Sequence, residues 1–299
     1  MKVIDPHVHF WDIARHRYPW MLNTTENFSG DMRAIKKNYL VENLLQDAQD
    51  IDILKVVHIE ANIDPADPVA ETRWLQELAQ APSHRSLPNA IVAQVDLSQT
   101  ASHVERILEQ HCAYANMRGI RQILNVHPNA FYDYVGREYM VEPQWQRNFH
   151  LLAKYQLSFD LQIYPSQMMQ AAQLAQRHPE TTIIINHAGM FVDRHEVAGW
   201  RQWRDGLAQL ARCSNTSIKI SGMGMLDHHW TVESIRPYVL QIMDTFGAER
   251  CMFASNFPVD KLYSSYSAVW QAYANVVRDA SSADKEALFV GNAQRIYRI

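Results

Sequence analysis

Eight short apolar runs recur along the chain, each followed by a segment whose apolar residues fall at helical spacing. This alternation limits the fold more than any other feature. The runs are VIDPHVH (3–9), VVHIEA (56–61), AIVAQVDL (90–97), GIRQIL (119–124), SFDLQIY (158–164), TIIINHAG (182–189), SIKISGMG (217–224) and CMFASNFP (251–258). Each is brief, rich in β-branched or aromatic residues, and bounded by polar residues, Pro or Gly, as strands are. Between them the apolar spacing predicts helices over 39–50, 68–81, 102–112, 143–156, 165–178, 200–213, 232–246 and from about 264 to 290. Asp67–Pro68 adds an N-cap followed by proline at a first helical position. Eight such units in 299 residues predict an α/β chain folded as a (β/α)8 TIM barrel. The competing doubly wound sheet lacks a Gly-rich phosphate loop after any strand. No Pro/Gly/Ser tract divides the chain, so residues 1–299 read as one domain. The connection at 14–38 is long for a compact domain. Trp11, Tyr18, Trp20 and Phe28, in or beside it, suit it either to close over a ligand as a lid or to plug the barrel mouth.

Residues two apart on a strand share a face. On the first strand this places Asp5, His7 and His9 together, and two imidazoles on a rigid strand can chelate one metal ion; the alternative is a pair of ordinary polar residues at a strand end. The same count groups His58 with Glu60, Gln94 with Asp96, Asp160 with Gln162 and Tyr164, and Lys219 with Ser221. Arg121 lies on the fourth strand, His187 closes the sixth and Asn256 lies near the end of the eighth. In a barrel the face toward the helices must be apolar, so the polar face points inward. Polar groups gathered late in the strands are the composition of an active site at the C-terminal mouth, where a purely structural barrel would carry branched apolar side chains. Taken singly they have plainer readings. Arg121 can form a buried ion pair with Asp160 or Glu60, Gln162 and Tyr164 can satisfy one another, and Lys219 can neutralise a buried carboxylate.

The net charge of −4 and the lack of any Lys/Arg run argue against a nucleic-acid partner. No segment approaches the roughly 18 apolar residues of a membrane span, and the N-terminus is too polar for a signal segment. Cys112, Cys213 and Cys251 are an odd number without CxxC spacing, which points to reduced thiols and a cytoplasmic location. Trp200 and Trp203 lie at helical spacing and suit either a homo-oligomer interface or packing against the barrel.

DPHVHFWD, VHIEA, RGIRQIL, INHAG, KISGMG and FASNFPVD, in this order, resemble the amidohydrolase superfamily across nearly the whole chain. Within it the chain resembles the amidohydrolase-2 group, and most closely the sugar-acid lactonase branch related to fuconolactonase, rhamnonolactonase and pyrone-dicarboxylate lactonase. The resemblance implies that His7, His9 and His187 either hold a catalytic metal or act without one. The superfamily's metal-bridging fourth-strand lysine has no match, Arg121 being the inward residue there, and Gln162 stands where a fifth-strand histidine is usual. The resemblance therefore implies at most one divalent, zinc-like ion, with a metal-free site as the alternative. On the eighth strand the usual general-base aspartate is replaced by Asn256, and an amide takes no proton at neutral pH. Asp260, Glu60, Asp160 and Asp12 are the carboxylates that can substitute, or His187 acts as base itself.

The expected function is hydrolysis of a lactone of a sugar acid or carboxylated ring, a small-molecule substrate. His7, His9, His187, Asn256 and Asp260 are the catalytic candidates. Arg121, with its two-pronged fork, is the natural partner of a substrate carboxylate. Gln162, Tyr164, Glu60 and Lys219 complete the substrate-binding set. Two alternatives remain: a metal-dependent aromatic-acid decarboxylase of the same superfamily, and a catalytically silent metabolite-binding barrel.

Overall fold

The computed structural model describes residues 1–22 and 28–299. Eight strands form one sheet in sequential order: β1 (Lys2–Val8), β2 (Asp52–Ile59), β3 (Ala90–Gln94), β4 (Met117–Ile123), β5 (Ser158–Gln162), β6 (Ile183–Ile185), β7 (Thr216–Ile220) and β8 (Cys251–Phe253). All neighbours are parallel. β8 has only three residues, and the segment after it completes the closure. Val8 pairs with Phe257, His9 N donates to Phe257 O at 2.8 Å, and Asn256 N donates to His7 O at 3.0 Å. The seam between first and last strands is therefore made by the residues that carry the histidine pair and Asn256. The expected TIM barrel is the fold.

Helices at Val41–Asp47, Ala70–Gln80, Ala101–Cys112, Pro143–Phe149, Met168–Arg177, Val197–Ala211, Val232–Phe246 and Tyr266–Val276 stand in the connections between strands and after β8. Each turns an apolar stripe to the outward strand faces. Trp145, Trp203 and Trp270 are buried there, and large aromatic surfaces contribute most per residue to such a layer. Trp203 donates to Ala188 O at 2.7 Å, so of the two readings for Trp200 and Trp203 the packing one describes Trp203. The final helical stretch is broken in two. After Val276 the chain turns, and a second helical segment ends with Asn292–Tyr297. Tyr297 is fully buried, its hydroxyl donating to the Asp160 carboxylate. This closes the barrel interior from below.

Most strands end earlier than the apolar runs suggest. Asn62, His187, Gly222 and Asn256 all have left-handed backbones (φ 53°, 50°, 67° and 60°) within three residues of the ends of β2, β6, β7 and β8. The chain turns out of the sheet at each of these points. No helix among the described residues is long and apolar enough to cross a membrane. Residues 23–27 of the long 14–38 connection lie outside the described residues.

Candidate active site

A cavity of about 410 Å³ opens at the C-terminal ends of the strands. Of the residues expected there, His9, Glu60, Arg121, Gln162, His187 and Asn256 line it.

Arg121 on β4 and Glu60 just after β2 form its charged wall. Arg121 Nε donates to Glu60 Oε1 at 2.6 Å, one terminal nitrogen to Glu60 O at 2.8 Å, and the other to Gln162 Oε1 at 2.9 Å. The second Glu60 oxygen accepts the Asn62 amide at 2.7 Å. Burial raises the Glu60 carboxyl above its ordinary value, and Arg121 opposes this. The ion pair anticipated as one reading of Arg121 is thus present. Of the five N–H groups of a guanidinium these bonds use three.

The histidines are placed through their Nδ1 atoms. His9 Nδ1 donates to Ile59 O at 2.7 Å, which fixes Nε2 as the lone-pair atom of the neutral ring. His187 Nδ1 lies 3.1 Å from Ser221 Oγ. His7 lies deeper, with Nδ1 3.4 Å from Lys219 Nζ. Its ring centroid is 5.0 Å from that of His9 and 4.5 Å from that of His187. Burial holds all three imidazoles well below their ordinary pKa. The positive charge of Lys219 adds to this at His7, and that of Arg121 at His9 and His187. All three are neutral at pH 7. Gly222 makes room for one of them: a Cβ there would stand 2.8 Å from His187 Nδ1.

Four expected residues do not reach the cavity. His7 and Lys219 form the floor beneath it. Lys219 is ion-paired with Asp160, which also accepts from Asn186 Nδ2 at 3.0 Å. Burial pushes the Lys219 ammonium down to about 8, opposed by Asp160. Lys219 therefore neutralises a buried carboxylate, the plainer of its two readings. Tyr164 donates its hydroxyl to Tyr132 O at 2.7 Å, so it braces a loop instead of pairing with Gln162. Asp260 stands behind Asn256, accepting Asn256 Nδ2 at 3.3 Å and Met225 N at 3.1 Å. Burial pushes its carboxyl up to about 7.

Two groupings expected from strand alternation are not found in the structure. Asp5 does not join His7 and His9 as part of the site floor. The β1 register shifts between Asp5 and Val8, and Asp5 accepts Ser255 N at 3.1 Å and the Tyr266 hydroxyl at 2.9 Å, pinning the seam. His58 parts from Glu60, taking the Phe10 amide at 3.1 Å and lying 3.4 Å from Glu71.

Asn62, Tyr134, Lys36 and Met225 line the cavity without having been singled out from the sequence. An asparagine just past a strand end, tolerant of a left-handed backbone, was a usable signal for Asn62. Tyr134 lies in a connection without periodicity and gave none. Trp20, Phe28 and Lys36, from the described parts of the 14–38 connection, line the cavity, with Trp20 Nε1 donating to Ala61 O at 2.8 Å.

His7 Nε2 is buried and has no hydrogen-bond partner among the described residues. A bound ion would account for such an atom, and neutral imidazoles are suitable zinc donors. Among the described residues no three His, Cys, Asp or Glu groups are arranged to hold an ion without rearrangement.

The family model described as amidohydrolase matches residues 4–299. An uncharacterized protein of Sinorhizobium fredii is 42% identical over 301 residues, covering 100% of this chain and 99% of the relative. L-fucono-1,5-lactonase of Burkholderia ambifaria is 26% identical over 304 residues, covering 99% of this chain and 95% of the relative. A crystal structure of a Burkholderia multivorans amidohydrolase with bound zinc superposes with a TM-score of 0.79 at 25% identity, over 100% of both chains.

Proposed function

The chain belongs to the amidohydrolase family, and on that premise we propose that it opens the lactone ring of a sugar acid or carboxylated ring by hydrolysis. The observation that carries this reading is the meeting of neutral His187 with the Arg121–Glu60 pair and Asn256 around one cavity. The lactonase relative supports the substrate class.

The general base follows from accounting for the carboxylates. Asp160 is bound by Lys219, Asn186 and Tyr297 below the cavity. Asp260 lies behind Asn256. Asp12 accepts Ala14 N and Asn38 Nδ2, both at 3.0 Å, and does not line the cavity. Glu60 lines it, but both its oxygens are engaged. Two neutral acceptors remain in the lining, His9 and His187; with His9 standing beside His7 as an ion ligand, His187 is the base. With Nδ1–H donating to Ser221 Oγ, its Nε2 takes the proton of the attacking water. The water oxygen bonds to the lactone carbonyl carbon, the ring C–O bond then breaks, and the imidazolium returns its proton to the leaving alkoxide to yield a hydroxy acid. The second N–H of Asn256 Nδ2 steadies the developing oxyanion, and the two free N–H groups of Arg121 take the substrate carboxylate. A lactone is an activated ester, so a base weakened by burial suffices.

A divalent ion, at most one, would be held by His7 and His9 and would supply Lewis acidity at the carbonyl, which leaves His187 Nε2 free as the base; with His187 as a third ligand a carboxylate would have to take that proton instead. Trp20 and Phe28, from the described parts of the 14–38 connection, serve as the cover and exclude water from the bound ring.

Asn256 favours one further reading, decarboxylation of an aromatic acid, which requires no hydrolytic base. Proton release from a panel of sugar-acid lactones, measured for wild type beside His187→Ala, tests the lactonase. Ring opening lost in the variant supports it. Carbon dioxide release from aromatic acids without ring opening would replace it, as would ligand binding without turnover.

A further inference from the structure

A second groove, of about 530 Å³, lies at the opposite end of the barrel. Its wall includes Ser158 and Ser217 at the starts of β5 and β7 and Thr182 just before β6. Arg250, Arg295 and Arg298 line it as well. They converge from the residue before β8, from Asn292–Tyr297 and from the left-handed residue just after it (φ 55°). A fourth arginine, Arg118, is tied to this group reciprocally. Its Nε donates to Arg298 O at 3.4 Å, and Arg298 donates to Arg118 O at 3.2 Å. Four like charges thus gather on one face of a chain whose net charge is −4. The sequence concealed this, because the residues form no run.

Nearly all their bonds go to neutral backbone oxygens. Arg250 donates to Phe246 O and Cys213 O, both at 3.1 Å, Arg295 to Glu249 O and Asn292 Oδ1, and Arg118 to Ala115 O and Met117 O. None of the four has a carboxylate partner among the described residues. The one acidic residue in the groove, Glu180, lies 3.6 Å from His178 Nδ1. Capping a helix C-terminus accounts for one cation per helix end. It does not account for several guanidinium groups brought together beside a row of hydroxyls. The carbonyl bonds hold the side chains in place while leaving further N–H groups on each fork uncommitted, and the groove has the size of a small-molecule site.

We propose that this groove binds a small, multiply charged oxyanion of the phosphate class, either free or as the phosphoryl group of a metabolite, with Arg250, Arg295 and Arg298 as its ligands. Calorimetric titration of the full chain at constant ionic strength, with inorganic phosphate, pyrophosphate and a hexose phosphate as separate probes, tests it. Saturable binding at one site per chain is expected. Pyrophosphate as the tightest probe would identify the free ion as the source, and the hexose phosphate a phosphorylated metabolite. The Arg295→Gln/Arg298→Gln pair should weaken binding roughly tenfold or more through lost charge-assisted bonds. Ser214→Glu, which adds a carboxylate at an exposed position of the groove wall without removing an arginine, should do the same and covers the case in which the double variant folds poorly. Asn62→Asp, which adds a charge at the opposite mouth, should leave binding unchanged. Absence of saturable binding, binding retained in Ser214→Glu, or binding lost in Asn62→Asp would overturn the proposal.

Discussion

Asn256 and Asp260 are joined side chain to side chain, Nδ2 donating to Oδ1 at 3.3 Å, so the carboxylate four residues on stands behind the amide and not beside the cavity. Burial has pushed that carboxyl from 3.8 up to about 7. The folded chain therefore keeps a proton that the unfolded chain releases. The stability this provides is complete below 3.8 and is lost as pH rises through about 7. Asp260→Asn removes the titration. The Tm advantage of wild type over this variant should shrink between pH 5 and pH 8, as measured by thermal unfolding. An advantage that is constant or grows with pH would show that Asp260 is ionised in place.

With His187 as base, His187→Ala should lower kcat by roughly 10²–10⁴-fold, the usual contribution of positioned acid–base catalysis, with Tm little changed. His187 lines the cavity and its one side-chain bond among the described residues goes to Ser221, so its loss leaves little of the core unsupported. Steady-state proton release on an active lactone measures it. Turnover near wild type would remove His187 from the mechanism.

The two-residue alternation placed Arg121, Gln162, Asp160 and Lys219 correctly inside the barrel, because β4, β5 and β7 are regular over those positions. It failed where regular strand ended. A register shift in β1 separated Asp5 from the histidines, and β2 stopped at Ile59, so His58 and Glu60 went to different surroundings. His187 and Asn256 were found as motif residues, yet they sit on left-handed turns that no strand count describes. Tyr164 and Asp260 were misplaced for a related reason. Past the last ladder bond, the direction of a side chain is set by contacts with distant loops, here Tyr132 and Met225.

Gly222 offers a test of whether those turns matter to the chemistry. Its φ is +67°, and a Cβ would meet His187 Nδ1 at 2.8 Å; Gly136, with φ +59°, has nothing nearer than Asp133 at 3.7 Å. Both glycine-to-alanine changes incur the left-handed strain of about 1–2 kcal/mol. Gly222→Ala alone should also displace the His187 ring and depress kcat at least about tenfold. Comparable activities in the two variants would show that strain alone, and not the fit of His187, sets the effect.

Metal content should not exceed one ion per chain. Where a second ion would need an anionic bridge, β4 presents the Arg121 guanidinium, already paired with Glu60, and a fixed cation repels a second metal. Elemental analysis after zinc loading and desalting measures the stoichiometry, and His9→Ala should reduce it. Two ions per chain would contradict this assignment.

The Arg121–Glu60 pair separates structural from substrate-binding roles. Arg121→Met leaves Glu60 buried against the Asn62 amide with no counter-charge, and breaking one side of a buried pair costs about 3–5 kcal/mol. Adding Glu60→Gln removes the stranded charge while keeping an oxygen for Asn62, so the double variant should recover much of the lost Tm. It should not recover the KM for a carboxylated lactone, because the two uncommitted N–H groups of the fork are absent from both variants. Unfolding curves and Michaelis profiles on the three proteins resolve the two effects. If KM returned along with Tm, the cavity would take the substrate carboxylate elsewhere, and Lys36, which also lines it, would be the first residue to substitute.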